Sequence, residues 1–254
     1  MKKVFASDFD GTLYFGAQDV PISPESVQMI RTYQEAGNLF GLCTGRSING
    51  ITPFIAGQIT PDFYITSTGA NILDKDLRTI QKTGIDRKIA ARIVKEVNSE
   101  RYKTVLDIEG CMCVFSEIEY FKDCKIISSV DTAPEGLIHQ ISTLTESPAQ
   151  AEELAIHINQ VYGDHVNAFR NIESIDIVSR GCSKGNGVHV LREHLRQSFG
   201  ECRIYGIGDS VNDLPLIEAA DVSYTFPYAP ENVQKKVTKV VKDISEALAD
   251  SMEA

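Results

Sequence analysis

The chain has 254 residues, 43% of them hydrophobic and 24% charged, with 18 Gly and 9 Pro. These proportions exclude a disordered chain and a collagen-like one, and suit a soluble globular protein of one large or two modest domains. With 25 basic against 35 acidic residues the net charge is −10, which repels phosphate backbones and anionic lipid surfaces, so neither nucleic acid nor a membrane is an expected partner.

Taken in chain order, the pattern begins as strand, helix, strand, helix. Residues 4–7 form a short apolar run suited to a strand buried on both faces. Ser23-Pro24-Glu25 is a helix start, with a capping hydroxyl, a first-turn proline and an acid at the positive end. That helix runs to residue 36, and Gly37 closes it. Strands are expected at 39–43 and 63–66, with a helix at 47–55 between them. In the C-terminal part Ser183 caps a helix that ends at Gly200. Strands follow at 203–207, 222–225 and 239–241, alternating with helices at 212–219 and 230–236 and a terminal helix. Alternation of this kind predicts a parallel sheet covered on both faces.

The middle of the chain, 84–181, follows a different pattern. Asp86 caps an amphipathic helix carrying Ile89, Ile93 and Val97 on one face. Strand-like runs at 104–108 and 111–115 join through Glu109-Gly110, a hairpin signal. Helical stretches are expected at 134–144 and 148–161. A second hairpin pairs 166–169 with 174–178. The whole reads as an α+β domain inserted into an α/β parent, which divides the chain into a core of residues 1–83 and 182–254 and an insertion of residues 84–181.

No segment approaches the ~18 consecutive apolar residues of a membrane span. The apolar run behind Met1-Lys2-Lys3 ends at Ala6, shorter than the ~7–15 residues of a secretion signal, so a cytoplasmic location is expected. The cysteines Cys43, Cys111, Cys113, Cys124, Cys182 and Cys202 have no zinc-type spacing and read as buried free thiols, with Cys111 and Cys113 on one side of a strand. His139, His157 and His165 show no metal spacing and receive no role.

Four segments carry chemistry. Asp8-Phe9-Asp10-Gly11-Thr12 puts two carboxylates directly behind a buried strand, where open parallel sheets bind ligands. Residues two apart in an extended segment face the same side, and a hard divalent cation relieves the repulsion of two converging carboxylates. Cys43-Thr44-Gly45-Arg46-Ser47 ends another strand and offers a hydroxyl, an open N–H and a following helix start, which suits an anion. Ser183-Lys184-Gly185 opens a helix with a lysine at its positive end, a placement that a bound phosphate would offset. Gly206-Ile207-Gly208-Asp209-Ser210-Val211-Asn212-Asp213 delivers a second acidic pair to the same sheet edge. It lacks the third glycine of a dinucleotide fingerprint. Helix capping alone also accounts for Asp213.

In this order the segments resemble the haloacid dehalogenase superfamily, and within it the Cof-type sugar-phosphate phosphatases, whose large α+β cap is inserted between the second and third motifs. The resemblance implies a Rossmann-like core with an inserted cap, and a Mg²⁺-dependent phosphatase acting on a small phosphorylated metabolite through an aspartyl-phosphate intermediate. It makes Asp8 the nucleophile and Asp10 the acid and base. Thr44 and Lys184 would hold the phosphoryl oxygens, with Gly45, Arg46 and Asn212 contributing to substrate binding. Asp8, the backbone carbonyl of Asp10, and Asp209 would bind Mg²⁺. Thr12 would stabilise the first loop, and Asp213 would orient Lys184 or a metal-bound water.

The sequence departs from the family pattern in three places. Thr68-Gly69-Ala70 stands where Asn-Gly-Ala is common, Ser210 where Asn is frequent, and Pro215 follows the second acidic pair. No catalytic group is removed. The inserted domain offers Glu109, Arg170 and Asn171 as candidate substrate contacts, and each reads equally as a solvated turn residue. Three rival readings remain open at this point: a phosphosugar mutase, a phosphoacceptor signalling domain built from the same Asp, hydroxyl, Lys and Mg²⁺ set, and a non-enzymatic sugar-phosphate sensor.

Overall fold

A computed structural model describes residues 1–99, 102–118 and 124–253. The chain opens with β1 (Lys2–Ser7), α1 (Pro24–Glu35), β2 (Leu39–Cys43), α2 (Thr52–Ile55) and β3 (Phe63–Thr66). The hairpin β4 (Asn71–Asp74) and β5 (Thr79–Lys82) follows. Next come α3 (Arg87–Val97), β6 (Lys103–Ile108), β7 (Cys111–Val114), β8 (Lys125–Ile126) and β9 (Ile138–Leu144). Then follow α4 (Pro148–Tyr162), β10 (Val166–Asn171) and β11 (Ser174–Ser179). The chain closes with α5 (Lys184–Phe199), β12 (Cys202–Ile207), α6 (Leu214–Ala219), β13 (Val222–Thr225), α7 (Glu231–Gln234), β14 (Lys239–Val240) and α8 (Ile244–Glu253).

Two sheets result. The first has the order β14-β13-β12-β1-β2-β3-β4-β5, parallel from β14 to β3 and antiparallel through the last hairpin. The second has the order β10-β11-β9-β6-β7-β8 and is antiparallel except where β7 meets β8. The chain enters the second sheet after β5 and returns after β11. The two crossings run side by side, because the Thr83 side chain reaches the Cys182 thiol.

The first sheet is held by different chemistry on its two faces. On one, Phe40, Phe5, Tyr205 and Tyr224 form a row of stacked rings across β2, β1, β12 and β13, with Tyr33 of α1 edge-on to Phe5. The helices α1 and α8 cover this face, and Tyr224 donates to Asp250 of α8 at 2.8 Å. The opposite face uses smaller side chains, Val4, Ala6, Cys43, Ile65 and Ile204, against Val188 and Leu191 of α5. Small residues there let α5 lie close to the strands.

The second sheet is also two-sided. Leu106, Ile108, Ile141, Ile175 and Ile177 pack beneath α3 and α4. The other face turns Asp107, Gln140, Ser142 and Asp176 toward the carboxyl edge of the first sheet.

Several expectations are corrected. The helix at 134–144 is the strand β9, buried between β11 and β6. Ile138, Ile141 and Leu144 recur at helical spacing, but the stretch is rich in β-branched residues and its backbone pairs on both sides, so tertiary pairing overrides the pattern. The helix at 47–55 is a short turn at Ile48–Gly50 followed by α2, with Pro53 inside the first turn. The hairpin β4–β5 has no counterpart in the sequence reading. Cys111 is exposed and Cys124 half-buried rather than buried; Cys111 and Cys113 do share a side, with Sγ atoms 3.9 Å apart.

Phe5 touches four aromatic rings and is fully buried. Phe5→Ala is expected to lower the unfolding free energy by about 3–5 kcal/mol. A urea titration checks this through a lower midpoint at unchanged slope.

Candidate active site

The carboxyl ends of β1, β2, β3, β12 and β13 all open on one edge of the first sheet, and each is followed by a loop bearing polar groups. Register sets this convergence: Ser7 pairs with Leu42 and with Ile207, so the loops after β1, β2 and β12 start level with one another.

Lys184, at the first position of α5, lies at the centre. Its ammonium donates to Asp8 Oδ1 and to Asp213 Oδ1, both at 2.6 Å, and all three side chains are buried. The helix dipole disfavours a cation at this end. Two carboxylates offset that cost here, where the sequence reading had a phosphate do so. Burial opposes the charge on Lys184, but Asp213 and Asp8 together outweigh it and hold the ammonium well above the ordinary lysine range.

Asp213 is fully engaged. Its second oxygen accepts from the backbone N–H of Asp209 at 3.1 Å and of Ser210 at 3.0 Å. It therefore shapes the loop after β12 and anchors Lys184. Gly208 is needed beside it, since a Cβ there would lie 2.4 Å from the Asp213 side chain.

Asp8, Asp209 and Asp213 each bring a carboxylate oxygen within 4.8 Å of the others. Burial pushes the Asp8 carboxyl well above the usual range, and Asp213 adds to the shift while Lys184 opposes it. Burial and Asp213 push Asp209 up to about 6. Three carboxylates around one ammonium leave an excess of negative charge, the condition a hard divalent cation with oxygen ligands satisfies. Thr12 donates to Asp209 Oδ1 at 3.1 Å, tying the first loop to this group. Gly11 has a left-handed φ of 76°, and a Cβ on it would meet Asp209 Oδ2 at 2.8 Å, so both backbone and space demand glycine there.

Asp10 stands apart from the buried group. Both its oxygens are taken by Arg46, from Nε and from Nη2, each at 2.7 Å. The guanidinium lies 5.0–5.3 Å from the rings of Phe9, Tyr14 and Phe54, and also donates to the Gly50 carbonyl. Arg46 thus holds Asp10 at the rim rather than pointing alone into the cleft. Thr44 is buried, and its hydroxyl accepts from the Arg46 N–H at 3.1 Å, which closes the tight Thr44-Gly45-Arg46 turn. Asn212 is half-buried and accepts from the Ser210 hydroxyl.

The second sheet closes directly over this edge. Gln140 donates to the Gly45 carbonyl and to Asp176 Oδ1, both at 3.0 Å. Ser142 and Asn171 also donate to Asp176, which is buried 3.0 Å from where a Gly45 Cβ would stand. Burial raises the Asp176 carboxyl against these bonds, with Lys184 also lowering it. The strand β10 leans on the turn Val211–Asp213. Of the three cap residues singled out in the sequence, only Asn171 joins this network; Glu109 pairs with Lys82 and Arg170 with Glu152 on the surface. The sequence reading missed Ser67, Asp107, Gln140 and Asp176, and noted Thr68 only as a departure from the family pattern. The visible signal for the others was a carboxylate inside an otherwise apolar strand run, at Asp107 and at Asp176.

Removing the central cation should expose its role. Lys184→Met leaves Asp8 and Asp213 buried without a counter-charge, so a loss of about 3–5 kcal/mol is expected at neutral pH. Denaturant unfolding without added metal checks this. The loss should shrink toward pH 4, as Asp8, whose carboxyl burial holds above the usual range, takes up a proton.

Comparison with known proteins agrees with this geometry. A family model described as haloacid dehalogenase-like hydrolase matches residues 5–250. An HMP-PP phosphatase of Citrobacter koseri is 25% identical over 235 residues, covering 86% of this chain and 82% of that one. A second from Serratia proteamaculans is 23% identical, covering 85% and 81%. Among solved structures, a HAD/COF-like hydrolase from Plasmodium vivax superposes with a TM-score of 0.84 at 16% identity, covering 99% of this chain and 96% of that one. The HAD subclass IIB sugar phosphatase BT4131 superposes with a TM-score of 0.79 at 19% identity, covering 99% and 98%. The matched family model spans nearly the whole chain, and the chain therefore belongs to the haloacid dehalogenase-like hydrolases, with the Cof-type fold of a Rossmann-like core and an α+β cap.

Proposed function

We propose that the protein is a Mg²⁺-dependent phosphatase of small phosphorylated metabolites, sugar phosphates among them, working through an aspartyl phosphate on Asp8. The observation that carries this reading is the buried group of Asp8, Lys184, Asp209 and Asp213 at the carboxyl edge of the parallel sheet. The relatives named HMP-PP phosphatases and the sugar phosphatase of the same fold support phosphate-ester chemistry.

In this reading residues 1–83 and 182–254 are the catalytic core, and residues 84–181 are the cap that meets the leaving group. Asp8 attacks phosphorus, and its second oxygen stays on Lys184. Lys184 and the Thr44 hydroxyl hold the transferring oxygens, and the Gly45 N–H and Asn212 complete the anion site. Once one of its oxygens is released from Arg46, Asp10 passes a proton taken up from solvent at the rim to the leaving oxygen, then takes one from the water that hydrolyses the acyl phosphate. Arg46 aims the Asp10 carboxylate from the rim. Asp8, Asp209 and the Asp10 carbonyl are the residues that would hold Mg²⁺, which supplies positive charge against the phosphoryl oxygens. Asp213 keeps Lys184 in place. Seating of the cap excludes water from the acyl phosphate until the leaving group departs.

Phosphate release from p-nitrophenyl phosphate tests the reading. Turnover is expected with Mg²⁺ and lost with chelator. Asp8→Asn should abolish it. Asp10→Asn should lower kcat by about 10²–10⁴. Release surviving in Asp8→Asn contradicts the mechanism.

A second test uses stability. Asp209 has a pKa raised to about 6 in the folded chain, against about 3.9 unfolded. Between these values the unfolded chain has lost a proton that the folded chain keeps, so this group makes metal-free stability fall as pH rises from about 4 to about 6. A bound divalent cation reverses that cost, because it favours the ionised form. Added Mg²⁺ should therefore raise Tm more at pH 7.5 than at pH 5, and thermal unfolding at the two pH values checks it.

A further inference from the structure

Ser67 and Thr68 form the one consecutive pair of non-glycine residues with left-handed backbone among the described residues, at φ 49° and 52°. That region is unfavourable for any L residue and most for a β-branched one such as Thr. Such a conformation persists only where surrounding contacts over-determine it, and here those contacts run in two directions. The backbone donors reach the phosphate-binding turn: Ser67 N–H to the Arg46 carbonyl at 2.9 Å and Thr68 N–H to the Thr44 carbonyl at 3.1 Å. The hydroxyls reach the second sheet: Ser67 to Asp107 at 2.5 Å and Thr68 to Gln140 Oε1 at 2.9 Å. All four side chains are buried. Gln140 closes the circuit by donating to the Gly45 carbonyl at 3.0 Å. The next residue, Gly69, packs against the backbone of Ser183, where a Cβ would stand 2.1 Å from its carbonyl oxygen, one position before Lys184.

We propose that Ser67 and Thr68 are positioning residues, through which seating of the second sheet sets the Thr44-Gly45-Arg46 turn. The proposal rests on the reading above, in which this turn holds the phosphoryl group. When the second sheet lifts, both hydroxyls lose their partners, and the left-handed loop loses the bonds that hold it. The carbonyls of Thr44 and Arg46 then lose their fixed donors, and the anion site loosens. When it closes, the same four bonds rebuild the site at the moment the leaving group is enclosed.

The experiment compares wild type with Thr68→Val, Thr68→Ser, Gln140→Leu and the Thr68→Val/Gln140→Leu double variant. Two quantities are read with Mg²⁺ present: Kd for inorganic phosphate by calorimetry, and kcat and KM for p-nitrophenyl phosphate. Thr68→Val should raise Kd and KM about fivefold or more, the scale of one lost buried hydrogen bond. Thr68→Ser should stay within about twofold of wild type, because it restores the hydroxyl. The double variant should be no worse than Gln140→Leu alone, because that variant already removes the bond that Thr68→Val breaks, together with the Gln140 bonds to Gly45 and Asp176. A merely structural role would lower the folded fraction, and so the apparent kcat, at unchanged Kd and KM. That result overturns the proposal, as do equal effects of Val and Ser or losses that multiply in the double variant. A wild type that binds phosphate without turnover removes the phosphatase reading but leaves the coupling to be read from Kd. A wild type that neither binds nor turns over removes both.

Discussion

One ammonium between two carboxylates organises this molecule. Lys184 can occupy that place only because α5 starts close to the sheet edge, and two glycines permit the approach. A Cβ on Gly185 would stand 2.2 Å from the Pro215 carbonyl oxygen, and one on Gly187 would stand 2.5 Å from Ile65. The successive elements α5 and β12 are thereby locked at one point to β1, at the other end of the chain. The same pairing shapes the local charge. Three carboxylates gather around a single ammonium, which leaves local negative charge in excess.

The second sheet extends that logic. Its helix-covered face is a conventional apolar core, and its other face is kept polar by Asp107, Gln140, Ser142 and Asp176. Buried polar groups are costly unless they are bonded, and here they bond to one another and to the turn after β2. The closed arrangement therefore has a specific register rather than a slippery apolar contact.

Asp10 and Asp8 follow the same strand and are two residues apart, yet their surroundings differ. Asp8 is buried on Lys184, while Asp10 lies at the rim in a bidentate pair with Arg46, itself flanked by three aromatic rings. One carboxylate is therefore fixed in the interior and the other held where solvent reaches it.

Much of this was legible from residue order alone. Strands read from short apolar runs in the first sheet fall where expected, because burial on both faces leaves few alternatives for such runs. The capping residues Ser23, Asp86 and Ser183 each mark a helix start that the structure keeps, since the cap is a local hydrogen bond. Asp8, Thr44, Lys184, Asp209 and Asp213 announced themselves by their position behind strands or at a helix start. What the sequence by itself determined was therefore local: periodicity, caps and turns, and the chemistry placed at the ends of strands. Tertiary structure alone decided that residues 138–144 pair as a strand and not a helix, because its partners lie more than thirty residues away in β6 and β11. It alone decided that Arg46 turns to Asp10, and that Asp213 and Asp8 both close on Lys184. It alone brought Gln140 and Asp107 onto the strained Ser67-Thr68 loop, because a contact between two sheets leaves no periodic trace in either strand.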